Sequence, residues 1–238
     1  MEKNKSFLLK LSGEILGSEN EVFSPENTNA LVRELASSLS NFNGRFGIVI
    51  GGGNIARGRE LDVFGIPRVR ADHMGMLATC INGILLAEKL KVSGIRAKVL
   101  SALSCGNFVE VYSIEKAKEL LENGFVLIFV MGTGNPLFST DTVSVLRAIE
   151  LEFANVLKAT KVDGVYDKDP LKFSDAKMFD KLTYEYAIKN DLKIMDREAF
   201  MLAKDYNIKI HVFNALKKGN LRKVIKGENV GTLIKNAI

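Results

Sequence analysis

Short apolar, β-branched or aromatic runs alternate with amphipathic helical patterns along almost the whole chain. The strand-like runs are Phe7 to Leu11, Phe46 to Ile50, Ala97 to Leu100, Phe125 to Val130, Val156 to Ala159 and Ile208 to Phe213. Helical patterns fill the intervals at Pro25 to Leu39, Met74 to Lys91, Ile114 to Glu122, Thr142 to Phe153, Tyr184 to Lys189 and Glu198 to Asp205. Ser24-Pro25 fits an N-cap followed by proline at the first helical position. Alternation of this kind means an α/β chain with a mainly parallel sheet, helices on both of its faces, and ligands at the carboxyl ends of the strands. The segment Tyr166 to Lys181, with Asp167, Asp169-Pro170 and Asp175, is expected to be an irregular loop.

Glycines punctuate three of the strand ends: Lys10-Leu11-Ser12-Gly13, Gly51-Gly52-Gly53-Asn54 and Gly132-Thr133-Gly134-Asn135-Pro136. Each junction leads toward a helical pattern, so bare backbone N–H groups are expected to face a ligand beside a positive helix end, an arrangement suited to phosphate. Three such junctions point to two phosphorylated molecules and to phosphoryl transfer between them. The chain carries no Gly-x-x-x-x-Gly-Lys-Ser/Thr loop, no protein-kinase catalytic tripeptide and no spaced dinucleotide fingerprint.

With 238 residues, 47% of them hydrophobic, the chain can bury a substantial core, and it shows no repeat, low-complexity stretch or long linker. One domain over 1–238 is therefore expected, with an acceptor-binding half over about 1–155 and a donor-binding half over about 156–238. Lys plus Arg exceeds Asp plus Glu by 33 − 28 = 5. The only local basic cluster, Lys217-Lys218, Arg222-Lys223 and Lys226, is expected as a solvated helix face; no nucleic-acid partner is expected. No apolar stretch reaches the roughly 18 residues of a membrane span, and the run at Phe7-Leu8-Leu9 is too short for a signal-peptide core, which points to a cytoplasmic protein without a membrane partner. Cys80 and Cys105 lie far apart among apolar or small residues and are expected as reduced thiols rather than a disulfide. His73 and His211 are isolated, and no Cys/His spacing suits zinc.

Five motifs together make a stronger pattern than any one glycine turn: Lys10-Leu11-Ser12-Gly13-Glu14, Gly51 to Gly58, Ala71-Asp72-His73-Met74-Gly75-Met76-Leu77-Ala78-Thr79, Gly132 to Asp141 and Lys158 to Tyr166. In this order, and ending in Met195-Asp196, Val212-Phe213-Asn214 and Gly231-Thr232-Leu233-Ile234, the chain resembles the bacterial uridylate kinases of the amino acid kinase superfamily. The resemblance implies a three-layer α/β/α sandwich of the amino acid kinase fold. It also implies a homohexamer and ATP-dependent conversion of UMP to UDP, with Mg2+, in pyrimidine nucleotide biosynthesis. By position, Lys10, Ser12, Gly13, Gly53 and Arg57 correspond to phosphate-side contacts of ATP, and Thr160, Tyr166 and Asp169 to its nucleoside end, with Lys161 a further ATP-binding residue. Gly52, Asp72 and the run Thr133, Gly134, Asn135, Pro136, Leu137, Phe138, Ser139, Thr140 correspond to the UMP site. Activation by GTP and inhibition by UTP are implied for the family, although Ser18 to Ser24 and Ser101 to Asn107 depart from its usual pattern.

Residue chemistry bears on the same positions. Transfer needs positive charge near three developing equatorial oxygens, which Lys10 and Lys158 or Lys161 can supply from strand ends. Asp141, near a helix start, is expected as the third catalytic residue, holding the lysines in place by analogy with the superfamily. Asp72 is expected at the start of the helix of Met74 to Lys91, where a carboxylate caps the helix and, by resemblance, accepts hydrogen bonds from the UMP ribose. Arg57 can fork onto a phosphate and Tyr166 can stack on adenine. No general base is needed, because a phosphate monoester loses its second proton near pH ~6. An acetylglutamate- or aspartate-type kinase, or a nucleotide sensor of the same fold, is disfavoured by Asp72 with Gly132 to Asp141 and by the retained Lys10, Asp141 and Lys158.

Overall fold

The structure is a computed structural model, and it describes residues 5–56 and 62–237. The strands are β1 (Ser6–Leu11), β2 (Arg45–Ile50), β3 (Ala97–Ser101), β4 (Glu110–Val111), β5 (Val126–Val130), β6 (Asn155–Thr160), β7 (Val165–Tyr166), β8 (Met178–Phe179), β9 (Lys181–Thr183), β10 (Lys209–Asn214) and β11 (Thr232–Lys235). The helices are α1 (Pro25–Leu39), α2 (Arg68–Val92), α3 (Ile114–Glu122), α4 (Thr140–Glu150), α5 (Tyr184–Lys189), α6 (Arg197–Asp205) and α7 (Asn220–Ile225). Nine strands form one sheet in the order β4-β3-β5-β2-β1-β6-β10-β11-β9. Its pairings are parallel except for β10 with β11.

Period-two alternation decides which side chains meet which helices. Phe7, Leu9 and Leu11 of β1, with Phe46, Ile48 and Ile50 of β2, face the apolar sides of α1, α2 and α7. Leu8 and Val49 face the other way, onto a second core with Ala117 and Leu120 of α3, Val145 and Ala148 of α4, Ala187 of α5 and Phe200 of α6. The three-layer α/β/α sandwich follows. On β1 the residue that shares Leu8's face is Lys10, and on β6 the residue that shares Val156's face is Lys158. Both lysines therefore come up beside α4.

The strand order leaves β1 in two directions, toward β2, β5 and β3 on one side and toward β6 and β10 on the other. Beyond the carboxyl ends of β1, β2 and β6 the crossover connections part, which opens a crevice at the topological switch point.

Several boundaries differ from the sequence-based expectation. Helix α2 begins at Arg68, directly after Pro67, rather than at Met74, because Arg68 to His73 lack the apolar period that marks the rest of the helix. Asp72 consequently lies in the second turn and caps nothing, which overturns its N-cap role. Helix α4 starts at Thr140 under the Ser139 cap and stops at Glu150, before Glu152 turns the chain with φ 56°. Among the described residues, the Gly51 turn closes over Gly53 to Ile55, and the next element described is a short 3-10 turn at Asp62–Phe64, ahead of α2. The expected loop from Tyr166 to Lys181 contains an antiparallel hairpin, with Val165 opposite Phe179 and Tyr166 opposite Met178, and the strand β9. Only its middle is irregular. Cys80 and Cys105 are free thiols, as expected, although the fold brings their Sγ atoms to 3.5 Å; burial pushes the Cys80 thiol up to about 12.

Candidate active site

Parallel pairing sets Lys10 on β1 directly opposite Lys158 on β6. Two ammonium groups at one cross-strand position repel, and a sheet tolerates them only with a compensating anion between them. Asp141 is that anion. Lys10 Nζ lies 3.0 Å from its Oδ1 and Lys158 Nζ 2.6 Å from its Oδ2, with all three side chains largely buried. Lys158 Nζ also donates to the Ile194 carbonyl at 2.5 Å.

Asp141 is placed by its helix. Ser139 Oγ accepts from the N–H groups of Asp141 at 3.1 Å and Thr142 at 3.3 Å, which aims the first turn of α4 at the strand ends and sets its positive pole beside the carboxylate. Burial works to raise the Asp141 carboxyl, but the Lys10 and Lys158 ammonium groups outweigh it and hold the group below its ordinary value. Burial lowers the Lys158 ammonium, opposed by Asp141 and reinforced by Lys10.

A cavity of about 1550 Å³ opens above the trio, lined by Lys10, Ser12, Gly53, Lys158, Thr160 and Lys161, and extending past Glu14 and Val22 toward α1. Ser12 Oγ accepts from the Glu14 N–H at 3.4 Å and starts the 3-10 turn Gly13–Leu16. Gly13 must be glycine, since a Cβ would sit 2.5 Å from the Gly51 carbonyl and from Asn54 Oδ1. Gly52 is pressed against α2, where a Cβ would lie 2.5 Å from the Gly75 carbonyl. Lys161, unlike Lys158, is exposed and pairs with Glu14 at 3.2 Å. The Thr160 hydroxyl lies 2.7 Å from the Val162 carbonyl at the end of β6.

The run Thr133 to Thr140 forms the loop from β5 into α4, beside the lysines. Asp72 ties it to α2: Oδ2 accepts from the Leu137 N–H at 2.8 Å while Oδ1 takes Arg68 at 2.9 Å. Thr133 Oγ1 accepts from the Asn135 N–H at 3.2 Å, and Leu137 and Phe138 are exposed. Met131, Gly132, Gly134 and Leu137 all have positive φ, so the loop turns repeatedly between Met131 and Leu137. Tyr166 and Asp169 belong to the β7–β8 hairpin and are not among the cavity lining; Asp169 Oδ1 accepts from the Leu171 N–H at 3.0 Å. Arg57 lies outside the described residues.

Three buried polar side chains at the site went unread in the sequence. Thr79 Oγ1 accepts from the Met131 N–H at 2.8 Å and so fixes the start of the loop from β5 into α4. Arg147, stacked 4.0 Å from the centre of the Tyr112 ring and paired with Glu150 at 2.5 Å, reaches the Gly132 carbonyl at 3.5 Å. Asn82 bonds the Gly51 carbonyl at 2.7 Å. Their signal was a polar residue at a helix position whose neighbours on the same face are apolar.

Two paired lysines at a switch point, glycine turns on both sides and no Walker loop define a phosphotransferase of the α/β class. The amino acid kinase family model matches residues 5–214. The chain is 45% identical over 231 residues to uridylate kinase of Fervidobacterium nodosum, covering 97% of each chain. It is 47% identical over 228 residues to that of Photorhabdus laumondii, covering 95% of this chain and 94% of the other. The crystal structure of UMP kinase from Bacillus anthracis superposes with a TM-score of 0.94 at 37% identity, over 98% of this chain and 97% of that one. The chain belongs to the amino acid kinase family.

Proposed function

We infer that this chain is a UMP kinase, transferring the γ-phosphoryl group of ATP to UMP to give UDP and ADP. The observation that carries the assignment is the trio Lys10–Asp141–Lys158, set between a glycine turn and a loop that ends in the same helix N-terminus as Asp141. The uridylate kinase names of its relatives support UMP as the acceptor.

In this mechanism Lys10 and Lys158 neutralise charge developing on the transferring phosphoryl oxygens, and Asp141 keeps the two ammonium groups apart from each other and in place. Ser12, Gly13, Gly53 and Arg57 serve the ATP phosphates, and Thr160, Lys161, Tyr166 and Asp169 its nucleoside end. Gly52, Asp72 and Thr133 to Thr140 hold UMP, so that the acceptor half runs to about residue 155 and the donor half follows. UMP attacks as the dianion and no side chain takes a proton from it. Magnesium fits this site through the phosphates, because each Asp141 oxygen already faces a lysine ammonium, Lys10 at 3.0 Å and Lys158 at 2.6 Å. Bound there, it would supply further charge neutralisation on the phosphate oxygens.

The chain works as an oligomer, a hexamer on the family pattern. Met74, Leu77, Ile81 and Ile84 are exposed along one stripe of α2 at coiled-coil spacing, which supports burial against another copy. No helix among the described residues is long and apolar enough to cross a membrane. We place the protein in the cytoplasm, in pyrimidine nucleotide biosynthesis, with GTP and UTP as effectors. ADP release by purified protein with UMP, CMP, AMP, acetylglutamate and aspartate as acceptors tests the assignment. Turnover with UMP alone supports it; turnover with an amino acid, or equal turnover of CMP, overturns it.

A further inference from the structure

Asn82 sits in the middle of α2 among Cys80, Ile81, Gly83, Ile84 and Leu85, and it is 0% exposed. A buried carboxamide requires partners for two N–H donors and an oxygen. A helical asparagine can satisfy itself on the carbonyl one turn back. Asn82 does not; the bonds its side chain makes leave the helix. Nδ2 donates to the Gly51 carbonyl at 2.7 Å and to Asn54 Oδ1 at 2.7 Å, and Asn54 Nδ2 returns a bond to Asn82 Oδ1 at 3.2 Å. Asn54 Nδ2 also bonds the Val22 carbonyl at 2.9 Å.

This reciprocal amide pair packs against the other glycine junction. A Cβ on Gly13 would lie 2.5 Å from Asn54 Oδ1 and 2.7 Å from Asn82 Nδ2. The turn's own hydrogen bonds, from the Ile55 and Ala56 N–H groups to the Gly52 carbonyl, close it locally but attach it to nothing. Gly51 N–H to the Leu11 carbonyl at 2.9 Å ties its first residue to β1, and the amide pair supplies the hold on α2 and on the Val22 segment.

We propose that Asn82, acting through Asn54 and the Gly51 carbonyl, is a positioning residue for phosphoryl transfer. It fixes the separation between the Gly51–Gly53 turn and the Lys10–Gly13 junction. The proposal rests on the UMP kinase assignment. Alignment of donor and acceptor is what the pair controls, so its loss falls on kcat more than on either KM.

Asn82→Leu keeps the volume and removes every bond. Its kcat should drop roughly 30- to 100-fold with KM for UMP and for ATP within about threefold of wild type, the scale of an ångström-sized misplacement. Hydrogen exchange at the amides of residues 52–56 should quicken, with the centre of β2 unchanged. Asn54→Leu, at a half-buried turn position, should show the same split at about tenfold, and Asn54→Asp, which sets a carboxylate oxygen against the Asn82 Oδ1 and Val22 carbonyl oxygens where the amide donated, should not recover it. Unchanged kcat in Asn54→Leu, or exchange at 52–56 that does not move, overturns the proposal. Absence of UMP turnover in the wild-type protein would instead refute the assignment beneath it, and the exchange measurement would still decide whether the clasp exists.

Discussion

Replacing Asp141 by Asn removes the anion between two buried cations without changing the shape of the site. Lys10 and Lys158, each 14% exposed, then face each other across the β1–β6 register with no carboxylate between them. Removing one partner of a buried ion pair costs about 3–5 kcal/mol. The residual exposure of the lysines places this case at the lower end, about 3 kcal/mol, in urea unfolding at pH 7 and fixed protein concentration. A polyanion should repay part of that, because phosphate can take the place of the lost carboxylate. Tripolyphosphate should therefore raise the midpoint of Asp141→Asn more than that of wild type.

The pH dependence has a defined sign. Lys158 already titrates below its ordinary value through burial, and losing Asp141 lowers it further. A base depressed in the folded state carries its full penalty below the folded pKa and sheds it as pH rises toward the unfolded value of 10.5. The deficit of Asp141→Asn should thus shrink between pH 7 and roughly 10. In acid, wild type loses its advantage as pH falls through the folded Asp141 value, below the ordinary 3.8. A deficit under about 1 kcal/mol at pH 7, or one that stays constant to pH ~10, would refute an anion compensating two buried cations.

Lys10→Met should lower kcat by roughly two to three powers of ten with UMP binding nearly intact, read by steady-state kinetics and calorimetry. Asp72→Asn loses charge-assisted acceptance at the Leu137 N–H and from a ribose, so UMP affinity should fall by about 1.5–3 kcal/mol while ATP affinity holds; unchanged UMP titration would leave Asp72 a loop tether only. The acidic limb of the rate should follow the UMP phosphate near pH ~6 and stay in place in His73→Gln and His211→Gln. Burial, aided by the Lys209 charge, holds His211 down to about 4. Because the unfolded chain binds that proton first, wild type should lose up to about 3 kcal/mol of stability between pH 6.5 and about 4, a loss that His211→Gln should not show.

Period and punctuation made the central strands and most helices legible, because β1, β2, β5, β6 and β10 are mostly buried and carry apolar runs broken at few positions, among them Lys10, Lys158 and His211. Strands β4, β7, β8 and β9 are two or three residues long, too short to display any period, and exist only because neighbours offer them unpaired backbone. The start of α2 was hidden for the opposite reason: from Arg68 to His73 only Ala71 reaches the core, too little to show a helical period, so helix continued where hydrophobic pattern did not.

The site divides along the same line. Lys10, Asp141 and Lys158 could each be proposed from strand ends and helix starts, since a charge at the edge of an apolar run has few other uses. That Lys10 and Lys158 occupy one cross-strand position is a fact of register, and register depends on which strands become neighbours. Given that neighbour relation, Asp141 ceases to be optional, because two ammonium groups facing one another on the buried face of a parallel sheet require an anion that the strands themselves do not carry. Helix α4 supplies it, and the loop into α4 is the one held by Asp72, Thr79 and Arg147 from α2 and from within α4 itself. The acceptor-side loop and the charge balance of the lysines are therefore set by the same helix N-terminus. A perturbation that shifts α4 should alter UMP binding and Lys158 ionisation together, whereas one confined to the Gly51 turn should leave Lys158 ionisation unchanged.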